Sequence, residues 1–152
     1  MTRVFIAVGS NLGDRRSNLE EAGRLLASSP GIQFVRSSRV HETEPVGGPK
    51  QGRYLNAVWE ISTQLPAADL LGRLLAIEER LGRVRTVPNA PRTIDLDILF
   101  YGNEHIRLPG IEIPHPRLHE RLFVLEPLAE LVPAWVHPVL QRTVKQMLEE
   151  CL

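Results

Sequence analysis

The hydrophobic period of this chain changes along its length, and the order of the changes constrains the fold more than any single motif. Val4 to Val8 is a short, continuously apolar run suited to a buried strand. After the turn "GSNLGD" the spacing becomes helical from near Ser17, with Leu19, Ala22, Leu25 and Leu26 on one side and "SSPG" at the end. Ser17 and Glu20 stand at capping-box spacing. Residues 32–42 return to strand character, a Gly- and Pro-rich loop "TEPVGGPKQG" follows, and "YLNAVWEIST" is a third strand. Pro66 opens a second helix and Gly82 closes it, with Leu70, Leu74, Ile77 and Leu81 in one stripe. At 100° per residue Glu78 falls inside that stripe, flanked by Leu71 and Leu75, whereas Glu79 faces away. "RTIDLDILFY", residues 92–101, is strand-like again.

This β-α-β-β-α-β order implies an α/β (α+β) chain with a ferredoxin-like βαββαβ sandwich, a mostly antiparallel sheet flanked by helices. An excursion over residues 103–113 resembles a short hairpin. The helical pattern beyond it is interrupted by Pro127, which predicts a kink or two short helices. Leu140, Val144, Met147 and Leu148 mark a final helix. With 152 residues and no repeat or linker, one domain over 1–152 is expected.

The strand at 92–101 carries the chemistry. Read with period two, Ile94, Leu96, Ile98 and Phe100 fall on one face, and Thr93, Asp95, Asp97, Leu99 and Tyr101 on the other. Two carboxylates therefore point the same way from an apolar stretch. At about 4 Å and an effective dielectric near 20 they repel by roughly 4 kcal/mol. A solvated sheet face is the usual home of an Asp-x-Asp pair, but apolar neighbours on both faces weaken that reading. Divalent cations would turn the repulsion into a binding site, and hard oxygen ligands suit Mg²⁺ that takes its other ligands from water and phosphates.

Arginines supply the complement. Arg83, Arg85 and Arg92 bracket the basic loop "RVRTVPNAPR", and Arg117 and Arg121 follow. Each alone is weak, but guanidinium groups leading into paired aspartates are the equipment of phosphoryl transfer. No GxxxxGK[ST] or GxGxxG is present, so the common nucleotide loops are absent. His115, held between prolines in "IPHPR", suits a hydrogen bond better than metal ligation, for which partners are lacking. Tyr54 and Asn56, two apart on a strand, share a face and could read a flat heterocycle, although sheet packing is the default explanation.

Bulk properties narrow the partners. Eighteen basic and 18 acidic side chains leave a formal net charge of zero, which disfavours nucleic acid. Cys151 is the only cysteine, and no apolar run approaches the roughly 18 residues of a membrane span, so a cytoplasmic chain without membrane attachment is expected. A monomer is expected, although neither feature bears on oligomeric state.

"GSNLGD", "TEPVGGPKQGRYLNAV", "GRVR", "PRTIDLDILFYG" and "IPHPRLHERLFVLEPLAEL" occur in the order and spacing of the 6-hydroxymethyl-7,8-dihydropterin pyrophosphokinase family, which the chain resembles over most of its length. The resemblance implies a ferredoxin-like α-β-α fold and transfer of the terminal pyrophosphate of ATP to the hydroxymethyl group of the pterin in folate biosynthesis, releasing AMP. It implies that Asp95 and Asp97 hold two Mg²⁺, and that Arg83 and Arg92 contact phosphates and stabilise charge during transfer. Glu78, Arg85, Ile98, His115 and Arg121 match the ATP side. Thr43, Val46, Tyr54, Asn56 and Phe123 match the pterin pocket, Phe123 stacking on the ring and Asn56 bonding its edge.

Two other readings compete. A metal-dependent phosphatase or nuclease could use the same aspartates, and a ferredoxin-like module could bind RNA or protein through its arginines. "YLNAV" lacks the paired aromatics that such an RNA-binding sheet uses.

Overall fold

A computed structural model describes residues 1–45, 48, 50–83 and 91–152. The strands are β1 (Thr2–Ser10), β2 (Ile32–Ser37), β3 (His41–Thr43), β4 (Tyr54–Thr63), β5 (Asp95–Tyr101), β6 (Ile106–Leu108) and β7 (Ile111–Ile113). The helices are α1 (Arg15–Ala27), α2 (Ala67–Arg80), α3 (Leu122–Leu131) and α4 (Val144–Cys151). The main sheet runs β2-β4-β1-β5, with β3 also paired to β4, and every pairing is antiparallel. With β1, β2, β4 and β5 counted as the strands of the βαββαβ unit, this is the ferredoxin-like order expected. The excursion after β5 is a small hairpin of β6 and β7.

Helices cover both faces. On one, Val4, Ile6 and Val8 of β1 pack with Leu19 and Leu26 of α1 and Leu70 and Leu74 of α2. On the other, Phe5 and Val58 pack with Leu125 and Leu128 of α3 and Val144 and Met147 of α4. β1 is central and covered on both sides, which explains its unbroken apolar run.

Three local expectations shift. The first helix begins at Arg15, because the Asp14 carboxylate accepts the Ser17 amide at 3.1 Å and caps it earlier than the Ser17–Glu20 pair suggests. α3 runs through Pro127 as one helix, preceded by a 3₁₀ turn at Leu118–Glu120. The last helix starts after Leu140, because Thr143 and Gln146 form a reciprocal capping box.

A fourth departure lies in the aspartate strand. β5 pairs Ile98 with Ile6 and Phe100 with Phe5, so Leu99 is one residue more than β1 can match. This bulge turns both Leu99 and Phe100 toward the α3/α4 face and Tyr101 toward α1 and α2. Strict alternation holds from Ile94 to Leu99; Phe100 and Tyr101 are exchanged relative to expectation. The freed Leu99 carbonyl accepts the His115 amide at 3.1 Å, tying "IPHPR" to the strand.

Candidate active site

Alternation along β4 sends Leu55, Ala57, Trp59 and Ile61 to the α1/α2 core, leaving Tyr54 and Asn56 on the opposite face. β1 presents only Ala7 and Gly9 beside them, and β5 presents Asp97 opposite Ala7 and Asp95 opposite Gly9. Small residues in the middle strand thus leave a hollow between the polar ends of β4 and β5. Thr43, Tyr54, Asn56, Arg92, Asp95, Asp97, His115, Arg121 and Phe123 all line this one cleft.

Gly9 makes the floor possible. A Cβ there would lie 2.7 Å from Asn56 Oδ1 and 3.3 Å from the Tyr54 ring, so any side chain would force the pair aside. Asn56 is buried, and its amide donates to the Thr43 hydroxyl across the β3–β4 pair. Arg121, which precedes α3, places its guanidinium 5.7 Å from the centre of the Phe123 ring.

The two aspartates differ sharply. Arg83 donates to Asp95 Oδ1 at 2.8 Å and Arg92 to Asp95 Oδ2 at 2.7 Å, so each oxygen has its own guanidinium. Asp97 has no hydrogen-bond or ion-pair partner among the described residues. Burial, then the neighbouring Asp95 and Glu78 carboxylates, push its pKa up to about 7.

Behind the strand, the Glu78 carboxylate accepts the Leu96 amide and the Arg83 guanidinium, both at 2.7 Å. Only 3% of Glu78 is exposed, which accounts for an acid inside an apolar helix stripe. Arg83 therefore bridges a buried carboxylate and Asp95. His115 Nδ1 accepts the Arg117 amide at 3.2 Å, which leaves the proton of a neutral ring on Nε2. Burial and the charge of Arg121 lower its pKa.

Of the residues singled out from sequence, Arg83 backs the cleft through Asp95, while Glu78 and Ile98 do not line it. Ile98 is packed in the α1/α2 core. Val46 and Arg85 lie outside the described residues. Gly9, Gln51 and Arg117 also line the cleft, and sequence reasoning had not placed the first two there. A glycine ending an apolar run resembles an ordinary turn, and a glutamine in a loop carries no periodic signal.

The chain matches a family model described as 7,8-dihydro-6-hydroxymethylpterin-pyrophosphokinase over residues 5–133. It is 46% identical over 128 residues to the 2-amino-4-hydroxy-6-hydroxymethyldihydropteridine pyrophosphokinase of Bacillus subtilis (strain 168), covering 84% of this chain and 77% of that one. A protein of the same name from Synechocystis sp. is 39% identical over 147 residues, 97% of this chain and 75% of the relative. A crystal structure of Plasmodium falciparum HPPK-DHPS with pteroate superposes with a TM-score of 0.78 at 14% identity, over 98% of this chain and 42% of that longer one. At that identity the superposition speaks for the fold alone.

Proposed function

From the chain's membership of the 7,8-dihydro-6-hydroxymethylpterin-pyrophosphokinase family, we propose that this cleft transfers pyrophosphate from ATP to the hydroxymethyl group of 6-hydroxymethyl-7,8-dihydropterin, in folate biosynthesis. The hydroxymethyl oxygen forms a bond to the β-phosphorus, the bond from that phosphorus to the α–β bridging oxygen breaks, and AMP leaves. The hydroxymethyl proton is released. The observation that carries the reading is the convergence of Asp95, Asp97 and Arg92 with Tyr54, Asn56 and Phe123 in one cleft.

The pterin end follows from donors, acceptors and a ring. Asn56 offers the amide edge a heterocycle needs, Thr43 and Gly9 fix that amide, and Phe123 supplies a face for stacking. At the phosphate end, Arg92 and Arg121 bring permanent positive charge and His115 offers its Nε2 proton. Arg83 holds Asp95 from behind; Arg85 and Val46, on the ATP and pterin sides, complete the reading by resemblance alone.

Mg²⁺ fits the residues present. Asp97 is an unpaired carboxylate whose proton is held up to about pH 7 by burial and by two neighbouring acids, so positive charge at this point would be stabilising. Among the described residues no three His, Cys, Asp or Glu side chains could hold a metal by themselves. Asp95 and Asp97 would therefore share two Mg²⁺ with water and nucleotide phosphates, the habit of this ion. Bound there, the ions would neutralise phosphate charge and supply Lewis-acid polarisation of the transferring group.

Among the described residues no helix is long and apolar enough to cross a membrane. Action as a cytoplasmic monomer on small molecules, without nucleic acid, belongs to the same reading. Incubation with ATP, Mg²⁺ and the hydroxymethyl dihydropterin should release AMP in step with pterin pyrophosphate. Release of ADP, or of phosphate without the pterin, would count against it and revive the phosphatase reading.

A further inference from the structure

Asn11, the residue after β1, is buried at 7% exposure, and its whole amide is committed. Its Oδ1 accepts the Arg92 amide at 2.8 Å. Its Nδ2 donates to Gln51 Oε1 at 2.7 Å and to the Gly52 carbonyl at 3.1 Å. Its own backbone amide donates to the Arg92 carbonyl at 3.0 Å. Gln51 and Arg92 both line the cleft, and Arg92 goes on to Asp95 at 2.7 Å.

On the reading of the site given above, we infer that Asn11 is a positioning residue that couples the loop before β4 to Arg92, so that the two substrate-facing walls are set together. The chemistry selects the side chain. One acceptor and two donors are needed within a single two-carbon reach, and only asparagine has them. Aspartate keeps the acceptor but turns the donor into an oxygen facing two other oxygens. Alanine loses both, leaving the Arg92 amide and the Gly52 carbonyl without this partner in a buried place. Because Arg92 touches Asp95 directly, a loosened Arg92 backbone is felt where charge develops.

The two variants separate the arms. With ATP and Mg²⁺ saturating, Asn11→Asp should raise the pterin KM about tenfold, more than it lowers kcat. Asn11→Ala should in addition lower kcat by about thirtyfold, because it releases Arg92. Gln51→Ala should raise the pterin KM alone, yet add less than twofold in the Asn11→Asp background. Independently of turnover, the Arg92 amide followed by NMR should shift in Gln51→Ala and exchange with solvent at least tenfold faster in Asn11→Ala. An Arg92 amide indifferent to both changes overturns the coupling, whether or not the wild-type chain releases AMP. So does wild-type-like kcat and KM in folded Asn11→Ala. Failure of the wild-type chain to release AMP instead removes the reading of the site and leaves the NMR result to decide the coupling.

Discussion

Asp97 stands two residues from Asp95 on the same face of β5, yet Asp95 is clasped by Arg83 and Arg92 while Asp97 has no partner among the described residues. The strand thus keeps one carboxylate neutralised by protein and one in want of a counter-charge.

Asp97→Asn should therefore make the metal-free protein more stable while abolishing turnover. The folded carboxyl holds its proton to about pH 7, whereas the unfolded one loses it near pH 4, so the native state binds more protons between these values. Stability contributed by this group falls as pH rises through that window. In EDTA at pH 8 the asparagine should gain about 1–3 kcal/mol, seen as a higher melting temperature. No gain would mean that Asp97 is not strained in the empty cleft.

Glu78 anchors Arg83 and the Leu96 amide from inside the α2–β5 contact. Glu78→Ala should cost about 2–4 kcal/mol, because it leaves the buried Leu96 amide without this acceptor and Arg83 with Asp95 but not its second carboxylate. Glu78→Gln should cost less and keep the fold while lowering kcat through Arg83. Urea unfolding with parallel turnover measurements checks both; a change in ATP KM alone, at unaltered stability, would mark Glu78 as a nucleotide contact instead.

Gly9→Ala should act on the pterin side. The added methyl meets Asn56 Oδ1 at 2.7 Å and cannot be accommodated while that amide keeps its bond to Thr43. The pterin KM should rise at least tenfold, with ATP binding by calorimetry changed less than threefold. Equal losses on both substrates would point to general damage.

His137 sets a different pH response. It is buried, and its Nδ1 accepts the Val139 and Leu140 amides at 3.1 and 3.0 Å, a role only the neutral ring can fill. Burial, with the nearby His119 and His105, holds its pKa below the usual 6.5. The unfolded state therefore takes up the proton first on acidification. The stabilisation is complete above about pH 6.5 and is lost as pH falls through the lower folded value. His137→Asn keeps an acceptor at the same place but cannot titrate there. The difference in melting temperature between wild type and variant should shrink from pH 8 to pH 5; a constant difference would remove His137 from the acid response.

Much of this architecture is written in local pattern. The alternation of Leu55, Ala57, Trp59 and Ile61 against Asn56 and Val58 gives β4 both its limits and its faces. The stripe from Leu70 to Ile77 does the same for α2, and it flags Glu78 as an inward acid without saying that the partner is the backbone of β5. The aspartates and most of the aromatic and amide residues in the cleft are legible through their faces and through resemblance. What escapes is long-range or backbone-borne. Asn11 meets partners 40 and 81 residues away, a relation with no periodic trace. The placement of Phe100 and Tyr101 depends on a mismatch with β1, which the sequence of β5 alone does not display.

That surplus residue at Leu99 lets a single ribbon run in two phases. Its leading half offers acids to the cleft and its trailing half offers Leu99 and Phe100 to the α3/α4 core, and the two are no longer locked to one parity. Deleting Leu99 would let Ile98 and Phe100 follow one another as Ile6 and Phe5 do, with every remaining side chain on its present face, and would cost the α3/α4 core one leucine and the His115 amide its acceptor. Chemistry and cohesion are thus free to vary separately along one strand, with a lone unmatched peptide as the joint between them.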